Sequence, residues 1–285
     1  GARDQGDVWH HDKPRANDVA GARTLASKVA EVGTEFCLTY CYSGYPMVRQ
    51  ARDMVQSGEL GEIRQVHVQY VQGNLAEPQA DGSGWRMQSE RGGGSMVLLD
   101  IGTHAFQLGR FVTGLGIERL CADLGPTRPG GKVDDYVSTL MHFTNGARGS
   151  LWVTNSAAGS EHGLSFRIHG DLGGLEWHQE EPNRLVHRRA GGFDQILTRR
   201  LEANMGQSAL RSTRIGLGHP EGYVEAFANL YAEFAEVVAA RLAQRPAALQ
   251  DRLFPSVDEG VEDLLNVEAA VKSAASGRWE PVKPG

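Results

Sequence analysis

Between residues 17 and 32, apolar side chains fall at Val19, Leu25, Val29 and Val32, with Gly33 directly after them. That spacing predicts an amphipathic helix with a glycine stop. Residues 36–42 are rich in aromatics and predict a strand, and Val8-Trp9-His10-His11 reads as the end of an earlier one. Strand, helix, strand is the rhythm of a parallel sheet. A helix over 45–57 stops at Gly58, and Val66, Val68 and Tyr70 then alternate with polar residues through a strand at 63–71. Residues 73–94 are polar and glycine-rich and predict a loop before a helix of roughly five turns.

From Ile117 the pattern changes to strands. Segments 133–143 and 147–155 flank Asn145-Gly146, a strong hairpin signal. Segments 164–169 and 175–178 predict a second hairpin across Gly170-Asp171-Leu172-Gly173-Gly174, and 184–188 adds a further strand. Residues 189–219 show no period and read as a long loop. After Pro220, an apolar stripe of Tyr223, Phe227, Leu230, Tyr231, Phe234, Val238 and Leu242 predicts a helix, and reads as core. Ser256-Val257-Asp258-Glu259 is a capping box for a last helix, which Gly277 ends. The fold class is α/β (α+β): a remnant of a Rossmann-type parallel sheet at 1–43, then a mostly antiparallel open-sheet domain with C-terminal helices at 44–285.

In the strand at 133–143, Val137, Thr139, Met141 and Phe143 point one way and Tyr136, Ser138, Leu140 and His142 the other. Neither face is strongly polar, so helices are expected on one and a second subunit on the other, as a homodimer or homotetramer through the open sheet. Glycine is enriched, at 36 of 285 residues. The net charge is -6, which disfavours nucleic acid as a partner. No apolar run approaches a membrane span, and the start has no signal-peptide pattern, so the expected compartment is the cytoplasm. Three cysteines, Cys37, Cys41 and Cys121, fit buried free thiols rather than a disulfide framework.

The chemistry concentrates in Gly92-Gly93-Gly94-Ser95 and the helix that follows. Asp100 and His104 are four apart and share a helix face. A carboxylate beside an imidazole fixes its tautomer and holds its pKa near or above ~6.5, which suits proton exchange at neutral pH. A purely structural pair has the same spacing. The glycines leave room for a ligand at the helix start. Lys13 follows a predicted strand and precedes Pro14, which biases it to a strand-end position where parallel sheets bind ligands; a surface lysine is the plainer alternative. Arg184, Arg188, Arg189, Arg199, Arg200, Arg211 and Arg214 around the long loop fit either a phosphate grip or a solvated loop.

Asp12-Lys13-Pro14 resembles the Glu-Lys-Pro motif of the glucose-fructose oxidoreductase and inositol dehydrogenase family, Gfo/Idh/MocA. Trp85-Arg86 with the triple glycine and Asp100-x-Gly102-x-His104 is similar to its second signature. Tyr45-Pro46, the Gly58-x-x-Gly61 step, the Asn145-Gly146 hairpin and His219-Pro220-Glu221-Gly222 extend the likeness over nearly the whole chain. The resemblance implies an NAD- or NADP-dependent oxidoreductase acting on a carbinol of a sugar, cyclitol or related polyol. It implies that His104 takes the hydroxyl proton, that Lys13 hydrogen-bonds the same oxygen, and that Asp100 orients His104 or the substrate. Trp85, Arg86 and His219 would contact substrate, and Lys13 and Pro14 the cofactor.

Family members open with a strand and a Gly-x-Gly-x-x-Gly turn, which no segment here reproduces; Gly114-Leu115-Gly116 and Gly216-Leu217-Gly218 lack the third glycine and the preceding βαβ-type strand. Asp12 replaces Glu, and Cys41 stands where the family commonly has Asn. The expectation is a chain that starts inside its nucleotide-binding domain and binds NAD(P) poorly by itself. Two other classes stay open: a noncatalytic sugar-binding or assembly module, and a metal-dependent hydrolase or isomerase built on Asp100, His104 and another histidine.

Overall fold

The computed structural model describes residues 9–11, 18–76, 94–199, 205–246 and 252–283. Strands β1 (Trp9–His11) and β2 (Phe36–Leu38) run parallel, with His11 opposite Leu38, and helix α1 (Val19–Val32) connects them. The Asp18 carboxylate accepts the Gly21 amide at 2.7 Å, which satisfies one of the unpaired donors of the first turn. Gly33 ends the helix at φ 63°, a conformation that favours glycine.

Beyond Leu38 the chain departs from the expected strand at 36–42. It enters a 3-10 turn, Cys41–Gly44, and then helix α2 (Pro46–Gln56). Cys41, Tyr42, Ser43, Gly44 and Tyr45 are all buried, so the alternation of a strand is lost. The carbonyls of this turn find side-chain donors instead of a neighbouring strand. Arg49 Nε donates to Ser43 O at 2.9 Å and Asn229 Nδ2 to Gly44 O at 2.8 Å. A Cβ at residue 44 would lie 2.1 Å from the Ala226 carbonyl oxygen, so only glycine fits there. Arg49 is itself fully buried and forms a two-pronged ion pair with Glu233, its Nη2 2.9 Å from Oε2.

The rest of the molecule is a nine-stranded sheet with helices on one face. Its strands are β3 (Ile63–Val71), β4 (Ile117–Gly125), β5 (Tyr136–Phe143), β6 (Arg148–Thr154), β7 (Gly163–Gly170), β8 (Gly173–His178), β9 (Arg184–Arg189), β10 (Asp194–Thr198) and β11 (Glu280–Pro281). The order is β10-β9-β8-β7-β3-β6-β5-β4-β11. Among the described residues β3 and β6 are parallel neighbours, and every other neighbouring pair is antiparallel. This is the mixed sheet expected from the change of pattern at Ile117. The β5–β6 hairpin turns at Gly146, φ 89°.

The sheet buries Val66, Val68 and Tyr70 of β3, Val137, Met141 and Phe143 of β5, and Leu151 and Val153 of β6, beneath helices α3 (Thr103–Thr113) and α6 (Val257–Ser276). The opposite face of β5 and β6 leaves Leu140 58% and Trp152 40% exposed. The three cysteines are free thiols, two of them buried, and burial beside Glu233 and Glu259 pushes Cys37 up to about 12. Among the described residues no helix is long and apolar enough to cross a membrane.

Residues 189–219 are not a plain loop. They contain β10 and helix α4 (Gln207–Ser212). β10 is an edge strand with most side chains in solvent, and α4 spans under two turns, so neither carries a hydrophobic period. In α5 (Tyr223–Leu242) the core stripe is displaced from the expected one. Ala226, Asn229, Leu230, Glu233, Phe234, Val237 and Ala240 are buried, while Tyr223, Tyr231 and Leu242 are exposed. The expected capping box is present: Ser256 and Glu259 bond reciprocally at the start of α6.

Replacing Arg49 by Met should leave the buried Glu233 carboxylate without its partner and cost about 3–5 kcal/mol. Denaturant unfolding should show this loss, and the double replacement with Glu233→Leu should recover most of it.

Candidate active site

Asp100 and His104 lie on the helical segment that begins after Ser95, as the sequence implied. Two features of that segment come from elsewhere in the fold. Asp134, just before β5, caps its start: Ser95 Oγ donates to Asp134 Oδ2 at 2.6 Å, Met96 N to Oδ1 at 3.0 Å and Val97 N to Oδ2 at 2.9 Å. Leu98 N then donates to Ser95 Oγ. The free amides that make a helix N-terminus an anion site are therefore occupied. A ligand at the helix start would meet amides that are already bonded; a Cβ at Gly94 would be in ordinary van der Waals contact with Val271, and Gly92 and Gly93 lie outside the described residues.

The second feature is a π-helical turn, Leu98–Gly102, in which Thr103 N donates to Leu98 O. Such single wide turns concentrate at functional sites. Asp100 lies within it, half-buried, and His104 follows at the start of α3, 8% exposed.

Three tyrosines wall the His104 ring. Tyr40 stands 5.4 Å away between ring centroids with an interplanar angle of 84°, Tyr42 at 5.0 Å and 84°, and Tyr70 at 6.2 Å and 64°. Tyr40 and Tyr42 come from the turn after β2, and Tyr70 from the carboxyl end of β3. The hydroxyls of Tyr42 and Tyr70 are 2.5 Å apart. Burial raises both phenols well above their ordinary range, with Tyr70 raised further by the charge of Asp100. These phenols are neutral at any ordinary pH, so they shape the site without adding charge to it.

Beneath this collar lies Asp263 of α6, fully buried and raised to about 7 by desolvation. Arg110, 3.8 Å from its carboxylate, opposes the shift. The Tyr40 hydroxyl is coupled to the same carboxylate, so one wall of the His104 ring rests on a buried acid.

Of the other residues singled out in the sequence, Lys13, Pro14, Trp85 and Arg86 lie outside the described residues. His219 is exposed and lines a cavity of about 710 Å³ with Asn183, Arg184 and Arg199, a lining that does not include Asp100, His104 or the three tyrosines. Its loop is fixed from below. Arg199, 6% exposed, donates Nε to Asn183 Oδ1 at 2.6 Å, pairs through Nη1 with Glu221 at 2.8 Å and bonds the His219 carbonyl. Arg199 is thus neither a phosphate grip nor part of a solvated loop. The sequence reading missed Tyr40, Tyr42 and Tyr70 as site residues. Their signal was the spacing of aromatics at 40, 42 and 45 and the inward position of Tyr70 at the strand end.

The profile of the GFO/IDH/MocA C-terminal domain matches residues 48–176. An uncharacterised oxidoreductase of Bacillus subtilis, YfiI, is 30% identical over 275 residues, 93% of this chain and 69% of the relative. A levoglucosan dehydrogenase of Pseudarthrobacter phenanthrenivorans is 27% identical over 95% of this chain and 73% of its own length. An inositol dehydrogenase homologue from Azotobacter vinelandii, solved with NAD+, is 35% identical with a TM-score of 0.90, over 97% of this chain and 72% of that one. Its complex with NADH and myo-inositol matches at 34% identity and a TM-score of 0.84, over 97% and 72%.

The buried acid gives a test of the electrostatics under the site. Asp263 holds its proton up to about pH 7 when folded and releases it near ~3.9 when unfolded, so folding stability falls as pH rises through that window. Asp263→Asn has no such proton to lose. Thermal unfolding of both proteins should show the variant gaining on the parent between pH 4 and 7, with the difference constant above that range.

Proposed function

The chain belongs to the Gfo/Idh/MocA family of oxidoreductases, and from that premise we propose that it transfers hydride between a nicotinamide cofactor and a carbinol of a sugar or cyclitol. The observation that carries this reading is His104 itself: an imidazole held almost dry on a π-turned helix, one turn after a half-buried carboxylate and inside a wall of neutral phenols. The myo-inositol and levoglucosan of the relatives' names set the substrate class, a ring with several hydroxyls. When bound, the dinucleotide supplies the hydride acceptor. The donor set fits that chemistry, because alcohol oxidation needs one group to take the carbinol proton and another to hold the oxygen.

His104 takes that proton on Nε2, while Nδ1 is buried on the protein side. Asp100, one turn earlier on the same helical segment, stabilises the imidazolium that forms. Lys13, two residues beyond β1 in sequence, holds the substrate oxygen as charge develops on it, and Lys13 and Pro14 are assigned to the cofactor. Trp85 and Arg86 complete the substrate wall, and His219 contacts substrate from its stapled loop. The three tyrosine rings exclude water from the imidazole, which strengthens the Asp100–His104 interaction.

The nucleotide portion is assigned to 1–43 and the substrate and assembly portion to 44–285. The exposed face of β5 and β6, carrying Leu140 and Trp152, is assigned to a second subunit. Three free thiols suit a reducing compartment, and we assign the chain to the cytoplasm.

With a Gly-x-Gly-x-x-Gly segment joined ahead of Gly1 to supply backbone amides to the cofactor, His104→Asn should lower kcat for polyol oxidation by about 10²–10⁴-fold relative to a parent carrying the same segment. Cofactor affinity, read by titration calorimetry with NAD and NADP, should stay as in the parent. A variant that oxidises polyols at the parent rate removes His104 from the reaction. Light scattering should give a dimer or tetramer for the parent and a monomer for the Leu140→Glu, Trp152→Glu double variant.

A further inference from the structure

The hydroxyl bond between Tyr42 and Tyr70 joins two elements that are 28 residues apart in sequence, and both rings lie against His104. Each phenol starts from a rigid base. Tyr42 belongs to the 3-10 turn whose carbonyls are bound by Arg49 and Asn229, and in which Ser43 Oγ donates to Tyr40 O at 2.9 Å. Tyr70 belongs to β3, paired on one side with Val153 of β6 and on the other with Leu164 of β7. The hydroxyl bond is the crosspiece between the fixed turn and the fixed strand. Tyr42 and Tyr70 are 4% and 3% exposed, so solvent does not compete for it.

We infer that Tyr42 and Tyr70 are positioning residues for the proton-transfer step: their hydroxyl bond locks two rings against the His104 imidazole and holds it in the orientation that receives the substrate proton. This rests on the proposed role of His104. On its outer side Tyr42 stacks parallel on Tyr45, 6.1 Å away at 6°. Tyr45 thus supports the collar from behind. Burial keeps both hydroxyls of the pair protonated, so the crosspiece persists across the working pH range. The pair differs from a substrate-binding group in one respect. One hydroxyl donates and the other accepts, and losing that bond should change the rate of the chemical step rather than the affinity for substrate.

Tyr70→Phe and Tyr42→Phe each delete the same bond and keep the ring. Each should lower kcat by about 10–100-fold, the scale of a slightly misplaced catalytic group, with KM for polyol and cofactor unchanged. The solvent deuterium isotope effect on kcat should rise, because proton transfer becomes slower relative to the other steps. The double variant should match either single one, since the bond is already lost. Tyr45→Phe, which leaves the hydroxyl pair in place, should keep the parent kcat. Losses that multiply in the double variant, an unchanged kcat in Tyr70→Phe, or an equal loss in Tyr45→Phe would overturn the inference.

A second readout needs no turnover and separates this inference from the reading of the reaction. The His104 ring Cε1–H signal, identified by its disappearance in His104→Asn, should be single and narrow in the parent and broadened or split in Tyr70→Phe. A narrow, unshifted signal in both proteins would show that the hydroxyl bond does not order the ring. A broadened signal in a protein inactive toward every polyol would keep the positioning role and reject the dehydrogenase.

Discussion

A guanidinium with no access to water holds this molecule's most consequential turn. Arg49 of α2 is enclosed by α5 and the Cys41–Gly44 turn, with Nε donating to the Ser43 carbonyl and both Nη atoms to Glu233. Desolvating such a pair costs several kcal/mol per ion, and the geometry must be good to offset it. What the pair secures is specificity. With Asn229 and the close approach of Gly44 to Ala226, it ends β2 early and folds the next residues so that Tyr40, Tyr42 and Tyr45 all turn inward. A continued strand would have sent alternate residues to opposite faces.

The surroundings of His104 follow from that turn meeting the β3–β6 junction. Where two parallel strands adjoin within an otherwise antiparallel sheet, their carboxyl ends open at the same edge, and Tyr70 is the last inward residue of β3 before Gln72. The helix bearing His104 is laid across this edge by Asp134, which neutralises its positive end from the neighbouring β5 approach. An imidazole in this setting has an aromatic environment and little water. The nearby acids are of two kinds: Asp100 half-buried at the site, and Asp263 buried beneath it and neutral through most of the acid range. The two carboxylates thus sit in different surroundings, and the charge of Asp263 when ionised raises the Tyr40 phenol further than burial alone does.

The relatives share this frame with different substrates in their names, which fits a division of labour between scaffold and loops. The sheet, the capped helix and the buried ion pair are set by backbone geometry. His219 lies instead on an exposed loop held through Arg199 and Glu221.

By itself the sequence determined the elements whose signal is local. The period of two through Val66, Val68 and Tyr70, the Asn145-Gly146 turn, the Ser256–Glu259 box and the glycine stops at 33 and 277 each depend on neighbours within a few residues, and each appears in the structure where it was read. The placement of Asp100 and His104 on one helical segment was legible for the same reason. Only the tertiary structure decided the early end of β2, the inward turn of the tyrosines, the Asp134 cap and which stripe of α5 is buried. These depend on contacts between residues tens to hundreds of positions apart, such as Ser95 with Asp134 and Arg49 with Glu233. β10 and β11, at the two edges of the sheet, and the six-residue α4 left no period because such short elements bury too few residues. Local propensity sets where an element can form; burial against distant partners sets where it ends and which side chains it delivers to the site.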